Sequence, residues 1–418
     1  MAAAIHQRQG MNICLLSYRG NPYCGGQGVY LYFLSRELAK LGHSLTLLVG
    51  PPDPWPMPWA RTIRIEGLNL WGVRRNFLPP SDPWRIFRPL NFFEFAATRL
   101  GFFPEMFIFS FRALRMLGEI FPRQRFHVFH DVQSLGYGLL LVKQFRRPLV
   151  TMVHHPLTID FCHSLERDRN FKEKYYTVVF YPLGMQGRVI RRCDRVLTSS
   201  QETAREIERA FGVPAHRIRN VANGLDTDFF RPGKVTRREN NRLLFVGNTD
   251  DPKKGVLYLL HAMAYLPERT TLRIVDDGAP VKSFAPDLVK RLGLGRRVTF
   301  TGKLSAEALR EEYRSSQVTV VPSLYEGFGL PAAEAMACGS PVVATTAGAL
   351  REVVGEDGAG VLVPPRDPKA LAKGIRQVLE DREQGEKMGR SGRERVDRLF
   401  SWRRVAERTV SVYEELMP

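Results

Sequence analysis

A chain of 418 residues with 44% hydrophobic and 25% charged side chains has the composition of a globular protein, not a disordered one, and its length suits two domains. The formal charge of +18 is uneven: residues 1–220 carry 30 Lys/Arg against 16 Asp/Glu, whereas residues 221–418 carry 31 against 27. A field of that sign suits nucleic acid, anionic lipid headgroups or an acidic substrate, or serves solubility alone; it says nothing of fold.

In chain order, "MNICLLSY" (11–18) reads as a buried strand, and "RGNPYCGGQG" as a glycine-rich turn. "VYLYFLSRELAKLGH" (29–43) reads as a helix and "SLTLLVG" (44–50) as a second strand. A strand, turn, helix, strand unit implies a parallel sheet. The segment 51–125 departs from that rhythm, with many Pro, Trp, Phe and Arg residues. Its helix after Pro104 is apolar on most of its circumference and is interrupted by Arg112 and Arg115. It suits a core helix, or, alternatively, an aromatic face set in a membrane interface or on an apolar acceptor. Strand candidates resume at "HVFH" (127–130), "PLVTMVHH" (148–155) and "RVLTSS" (195–200), the last opening the helix of "SSQETAREIERAFG".

A polar, Gly/Pro-punctuated stretch at 223–241 marks a linker. Beyond it the alternation restarts with "RLLFVGN" (242–248), "TLRIVDDG" (271–278), "RVTFTG" (297–302), "VTVVPS" (318–323), "PVVAT" (341–345) and "GVLVPP" (360–365), with helices between. The expected organisation is an N-terminal domain over 1–222, the linker, a C-terminal domain over 242–400 and a final amphipathic helix over 401–418. The expected fold class is α/β, two Rossmann-like doubly wound domains facing across a cleft. The five cysteines (Cys14, Cys24, Cys162, Cys193, Cys338) lack CxxC or zinc-ligand spacing, which predicts reduced thiols in a cytoplasmic protein. No window approaches the roughly 18 apolar residues of a spanning helix, and the N-terminus lacks an apolar signal core.

The densest chemistry lies in "SLYEGFGLPAAEAMACGSPVVAT" (323–345). Pro331 suits the first position of a helix, so the N–H groups of Gly327 to Leu330 gather near a helix N-terminus that favours a phosphate-type anion. Glu334, one turn in, is placed to accept hydrogen bonds from vicinal hydroxyls such as those of a ribose, and Glu326 lies on the other side of the anion. Those carboxylates and their spacing closely resemble the signature of the retaining GT-B glycosyltransferases of family four. "GGQGVYLYFLSRELAKLGH", "SSQETAREIERAFGVP", "NGLDTDFFRP", "GNTDDPKKG", "VTFTG" and "DPKALAKGI" follow in that family's order across nearly the whole chain.

The resemblance implies a nucleoside-diphosphate-sugar donor bound mainly by the second domain, and an acceptor, a glycan or lipid, bound mainly by the first. Glu334 would bind the ribose; Glu326 with the amides of Gly327, Phe328 and Gly329 would hold the transferred sugar, and Leu330 is assigned to donor binding beside them. Lys254 matches the phosphate-binding lysine, with Lys253 its solvated neighbour. The family's usual arginine after "VG" is replaced by Asn248, which brings no second cation. Gly25 and Gly26 would lie near the donor phosphates, or only permit a tight turn. His154 falls where the family keeps a sugar-facing histidine; the alternative is a structural histidine, and strand alternation sends His155 to the other side. Gln133 in "HDVQSLGYG", with Arg112 and Arg115, is assigned to the acceptor side.

The resemblance also implies transfer with retained configuration, no cofactor and no metal; "VDDG" (275–278) is read as structural. The C-terminal helix would return to the N-terminal domain. The acceptor would be a lipid or polysaccharide precursor at the inner membrane face, an anionic membrane surface is a possible partner, and no specific nucleic acid is expected. Alternatives are another GT-B activity, such as a sugar-nucleotide epimerase or sucrose-synthase-like enzyme, or a basic binding protein without catalysis.

Overall fold

The structure is a computed structural model and describes residues 10–21, 26–70, 82–154, 156–168, 170–233, 238–276 and 284–417. The chain divides into two compact units, Met1–Val221 with Val405–Pro418, and Ala222–Arg404.

Unit 1 is built on seven strands: β1 (Asn12–Ser17), β2 (Ser44–Val49), β3 (Arg61–Arg64), β4 (Val128–Val132), β5 (Leu149–Val153), β6 (Arg195–Thr198) and β7 (Ile218–Asn220). They lie in the order β3-β2-β1-β4-β5-β6-β7, every pair parallel. Strands β4 and β5 are buried at every position, which is why they read as continuous apolar runs without alternation. Helix Gly26–Lys40 covers the sheet with Tyr30, Leu31, Leu34 and Leu38, the i, i+1, i+4, i+8 stripe of one helical face. Helix Glu105–Ile120 is a core helix: Met106, Phe109, Ala113, Leu117 and Ile120 join the unit's main apolar cluster.

Unit 2 repeats the plan with β8 (Glu239–Val246), β9 (Thr271–Val275), β10 (Val298–Phe300), β11 (Ser316–Val321), β12 (Val342–Thr345) and β13 (Val361–Val363), ordered β10-β9-β8-β11-β12-β13 and again parallel throughout. The stretch read as a linker supplies Leu225 and Phe230 to an apolar cluster of this unit, and β8 already begins within it at Glu239. The sequence reading also left helix Arg382–Leu399 unassigned; it is charged on most positions and buries only Gly385, Met388, Gly389, Gly392 and Val396.

The last helix is Trp402–Glu414, and unit 1 takes the chain back from Val405. Its Tyr413 hydroxyl is hydrogen-bonded to His130 Nδ1 within the core, and Glu415 accepts ion pairs from Arg195 at 3.3 Å and Arg219 at 2.8 Å. No described helix is long and apolar enough to cross a membrane.

In both sheets the strand order reverses direction at one place, between β1 and β4 and between β8 and β11. Parallel crossovers leave a crevice beyond the carboxyl ends of the strands at such a point. Lys254, Glu326, Gln133 and His154 follow strands of these two sheets, whereas Arg112 and Arg115 lie within helix Glu105–Ile120.

Candidate functional site

In unit 2 the exits of β8 and β11 are laced together. The turn after β8 contains Lys253, Lys254 and Gly255, and Leu324 N–H, after β11, donates to Lys253 O at 2.7 Å. Gly255 has φ +66°, and a Cβ there would sit 2.0 Å from Pro322 O, so the two backbones touch at a position open only to glycine. This contact carries Lys254 to the loop that follows β11. Lys254 Nζ donates to Glu326 Oε1 at 2.8 Å, and Ser323 Oγ donates to the same oxygen at 2.8 Å. Glu326 is 7% exposed. The stem of Lys254 runs past Gly247, where a Cβ would lie 3.7 Å from Lys254 Cδ.

A third strand exit holds the backbone of this loop. Thr345 Oγ1 donates to Ser323 O at 2.5 Å, Ala349 N–H donates to Glu326 O at 2.9 Å, and Gly348, with φ +56°, comes so near that a Cβ would be 2.3 Å from Glu326 O. Gly329 caps helix Leu330–Ala337 with φ +96°, and Pro331 occupies its first turn. Phe328 turns its ring into the core, edge-on to Phe400 at 5.3 Å, so only its backbone is left to face a ligand. Leu330 is partly exposed at the helix start.

Glu334 is half-buried, and its Oε2 accepts the hydroxyl of buried Tyr313 at 2.8 Å. Burial pushes its carboxyl up to about 7, against a smaller lowering by the Tyr313 hydroxyl. Asn248 is exposed, and its Oδ1 accepts Asp250 N–H at 2.8 Å, closing a local turn. Asp276 of "VDDG" accepts Thr249 N–H at 3.0 Å and the Thr249 hydroxyl as well, which ties the exit of β9 to that of β8. Among the described residues no group of His, Cys, Asp and Glu side chains is arranged to hold a metal ion.

In unit 1 His154 follows β5. Its N–H donates to Gln133 Oε1 at 2.8 Å, its carbonyl accepts from Ser199 Oγ at 3.1 Å, and its ring stands edge-on to Tyr30 with centroids 4.9 Å apart. Gln133 sits in a loop with positive φ at both Gln133 (+51°) and Leu135 (+45°), conformations that non-glycine residues rarely hold unaided. Asp131 holds them: its carboxylate, fully buried, accepts the N–H groups of Ser134 and Leu135, the Ser134 hydroxyl, and Thr151 Oγ1 at 2.9 Å. Burial pushes Asp131 up to about 6 despite those four groups. Gly26 begins its helix and is exposed; Gly25 and His155 lie outside the described residues.

The acceptor-side assignments change with the structure. Gln133 is 4% exposed, with its side-chain oxygen committed to the His154 backbone, so it positions His154. Arg112 points inward to Glu94 at 2.9 Å and to the Asn91 side chain, while Glu94 also accepts Leu68 N–H; this cluster joins helix Glu105–Ile120 to helix Pro89–Arg99 and to Leu68. Arg115, three residues on and about 60° round the helix, is largely exposed and meets Glu119 at 3.3 Å. Different neighbours separate the two, Glu94 for one and Glu119 for the other, and neither joins the strand exits that hold His154.

Sequence reasoning did not single out Ser323, Tyr313, Thr345, Gly348 or Asp131. The glycine of "TTAGAL" was the one visible sign of a tight approach, and the others are common polar types whose value comes from what lies opposite them.

Comparison with known proteins agrees with this layout. The model of glycosyltransferase family 4 matches residues 24–229, and that of the glycosyl transferases group 1 matches residues 226–395. The chain is 38% identical to an MMP alpha-(1->4)-mannosyltransferase of Mycolicibacterium hassiacum over 97% of this chain and 98% of that one. It is 31% identical to an uncharacterised glycosyltransferase of Methanocaldococcus jannaschii over 97% and 99%. Among solved structures, the sucrose-phosphate synthase of Thermosynechococcus elongatus superposes with a TM-score of 0.72 at 26% identity, covering 97% of this chain and 99% of that one. With two parallel Rossmann-like units, a lysine and two glutamates at the strand exits of the second, and both family models in register along its length, the chain belongs to the family four glycosyltransferases of GT-B fold.

Proposed function

We propose that this glycosyltransferase moves a hexosyl unit from a nucleoside-diphosphate-sugar to an acceptor hydroxyl, with the anomeric configuration retained. The observation that carries the reading is the Lys254–Glu326 pair at 2.8 Å, beside the amides of Gly327 to Leu330 and at the point where the sheet order reverses. A diphosphate entering there displaces Glu326 as the partner of Lys254, which then neutralises charge on the leaving group as the glycosidic bond breaks. Glu326, freed from the ammonium but still held by Ser323, accepts a hydrogen bond from a hydroxyl of the sugar. Glu334 accepts the ribose hydroxyls. The leaving diphosphate takes the acceptor proton on the same face, which gives retention. Asn248 supplies a hydrogen bond and no charge, so Lys254 carries the diphosphate with the backbone amides.

Unit 1 supplies His154, oriented by Gln133 and Ser199, as the candidate sugar-facing imidazole, and it carries the acceptor side. A mannosyl donor is the first candidate, because the relative from Mycolicibacterium hassiacum, similar along its full length, is named a mannosyltransferase. For the acceptor, a lipid or polysaccharide precursor at the cytoplasmic membrane face is supported by exposed Trp84, Phe87, Phe92, Phe93, Phe171 and Tyr176. Contact ties the segment that carries Trp84 to Phe93 to the helix that carries Phe171 and Tyr176: a Cβ at Gly101 would meet the Tyr176 ring at 3.0 Å, and Phe103 stacks on Phe180 at 5.4 Å.

The test is release of free nucleoside diphosphate from a panel of sugar nucleotides with and without candidate acceptors, followed by NMR of the product's anomeric proton. Acceptor-dependent release, lost in Lys254→Met, with product configuration equal to that of the donor, is expected. Release of equal size without any acceptor, or an inverted product, would overturn the assignment.

A further inference from the structure

The surplus of positive charge in residues 1–220 has no role in sugar transfer as described above. The topology shows where much of it goes. Because β4, β5, β6 and β7 are consecutive and parallel, the segments that lead into them all lie on the amino-terminal edge of the first sheet, opposite the edge that holds His154. Those segments are "FPRQRFH" (121–127), "KQFRRP" (143–148), "RRCDR" (191–195) and "PAHR" (214–217). They bring Arg123, Arg125, Lys143, Arg146, Arg147, Arg191, Arg192, Arg195 and Arg217 to one edge, with Asp194 their single acid. Adjacent strands stand about 4.8 Å apart, so the four lead-ins span roughly 15 Å.

Part of this edge is hollow. A groove of about 580 Å³ is lined by Lys143, Arg191, Arg192, Asp194, Arg195, Arg217 and Leu416. A second hollow of about 530 Å³ shares Lys143, Arg191 and Arg192 and adds Arg188 and Leu140. The cations are held in place mainly by groups that do not discharge them. Arg191 Nη1 donates to Phe211 O at 2.9 Å, Arg217 Nη1 to Arg191 O at 3.2 Å, and Arg188 Nη1 to the Tyr137 hydroxyl at 2.6 Å. Lys143 bonds both Arg192 O and Asp194, but Asp194 also accepts Leu149 N–H, and Glu415 is shared between Arg195 and Arg219. Capping the carboxyl end of helix Leu183–Ile190 needs one such cation, not this number. A guanidinium fixed through one N–H retains others in a planar fork suited to phosphate oxygens.

We infer that this groove is a binding site for clustered phosphates, separate from the catalytic edge and filled either by anionic lipid headgroups or by a free polyphosphate. A single phosphate would leave most of the cations unmatched, whereas two or more phosphates a few ångströms apart engage them together.

The experiment uses the full chain at low salt in two arms: calorimetric titration with inorganic tripolyphosphate, and co-sedimentation with phosphatidylglycerol–phosphatidylcholine vesicles against pure phosphatidylcholine. Each arm is repeated on Arg192→Glu, whose side chain is exposed and makes no hydrogen bond among the described residues, on Arg191→Gln, and on Lys254→Met as the control for donor-site binding. Binding in either arm that falls roughly tenfold in Arg192→Glu and persists in Lys254→Met supports the site, and the arm that responds names the source. Arg191→Gln weakening the same arm, with circular dichroism unchanged, gives the same support without charge reversal. Absence of binding in both arms, binding lost in Lys254→Met but retained in Arg192→Glu, or displacement of both ligands by duplex DNA at equal charge overturns it.

Discussion

Lys254 comes from the turn after β8 and Glu326 from the loop after β11, and their 2.8 Å contact decides what each substitution does. Lys254→Met keeps the stem that lies along Gly247 and removes only the charge. The expected result is a fall in kcat of about 10²–10³-fold with the fold intact, as for loss of one group that stabilises developing charge. Steady-state kinetics beside a thermal melt checks it, and a fall below tenfold would move the leaving-group role elsewhere. Glu334 makes a prediction about pH. Its carboxyl is raised from 4.5 to about 7 by burial, so it becomes a good acceptor for ribose hydroxyls only as the pH climbs through 7. Nucleotide affinity should rise from pH 6 to pH 8, and Glu334→Gln should bind more weakly with a flat profile across that window. The same shift acts oppositely on stability: the folded chain holds a proton between 4.5 and 7 that the unfolded chain has released, so this group's contribution is lost as pH rises through that window.

Single glycines at strand exits do more than permit turns. Gly212, which ends helix Gln201–Phe211, and Gly255 after β8 have nearly the same φ, +62° and +66°, but a Cβ at Gly212 meets nothing within 4 Å, whereas at Gly255 it meets a carbonyl oxygen at 2.0 Å. Gly212→Ala should therefore cost about 1 kcal/mol, the left-handed penalty alone. Gly255→Ala should cost about 3 kcal/mol or more and also lower kcat, because backbone must move where Lys254 is delivered. Urea titrations of both variants separate the two effects, and equal losses would show that the contact between the β8 and β11 exits is not rigid. The loop at 133–135 follows the same logic through a side chain: Asp131 supplies the acceptors that keep Gln133 and Leu135 at positive φ.

At the scale of the whole molecule, the chain returns to unit 1 with Val405–Pro418, where Tyr413 completes a core begun by His130 almost three hundred residues earlier. Burial pushes His130 down to about 3, so its ring stays neutral and its Nδ1 needs the Tyr413 hydroxyl. Tyr413→Phe keeps the ring and removes that partner; an expected loss of about 1–3 kcal/mol follows from leaving a buried polar nitrogen unmatched. Denaturant unfolding measures it, and no change would mean that His130 finds another partner.

Much of this architecture was legible in the sequence because its causes are local. Apolar runs such as "ICLLS" and "LVTMV", separated by glycine turns and helical stripes, fit only parallel strands covered on both faces, and the same grammar appears twice. The glycine-proline turn before Glu334 was equally readable, since Gly329 and Pro331 answer to backbone conformation and not to distant neighbours. The tertiary structure decided whatever depends on what lies opposite a side chain. Arg112 and Arg115 look alike in the sequence, yet one pairs with buried Glu94 and the other faces outward. Gln133 positions a histidine 21 residues away, and Ser323 and Tyr313 gain their places only because crossovers bring β8, β11 and helix Leu330–Ala337 side by side. The arginines before β4 to β7 are scattered across nearly a hundred residues of sequence; parallel pairing is what sets them on one edge. Local pattern specifies which elements form, while the charge and hydrogen-bond partners of a site exist only once long-range packing has chosen their neighbours.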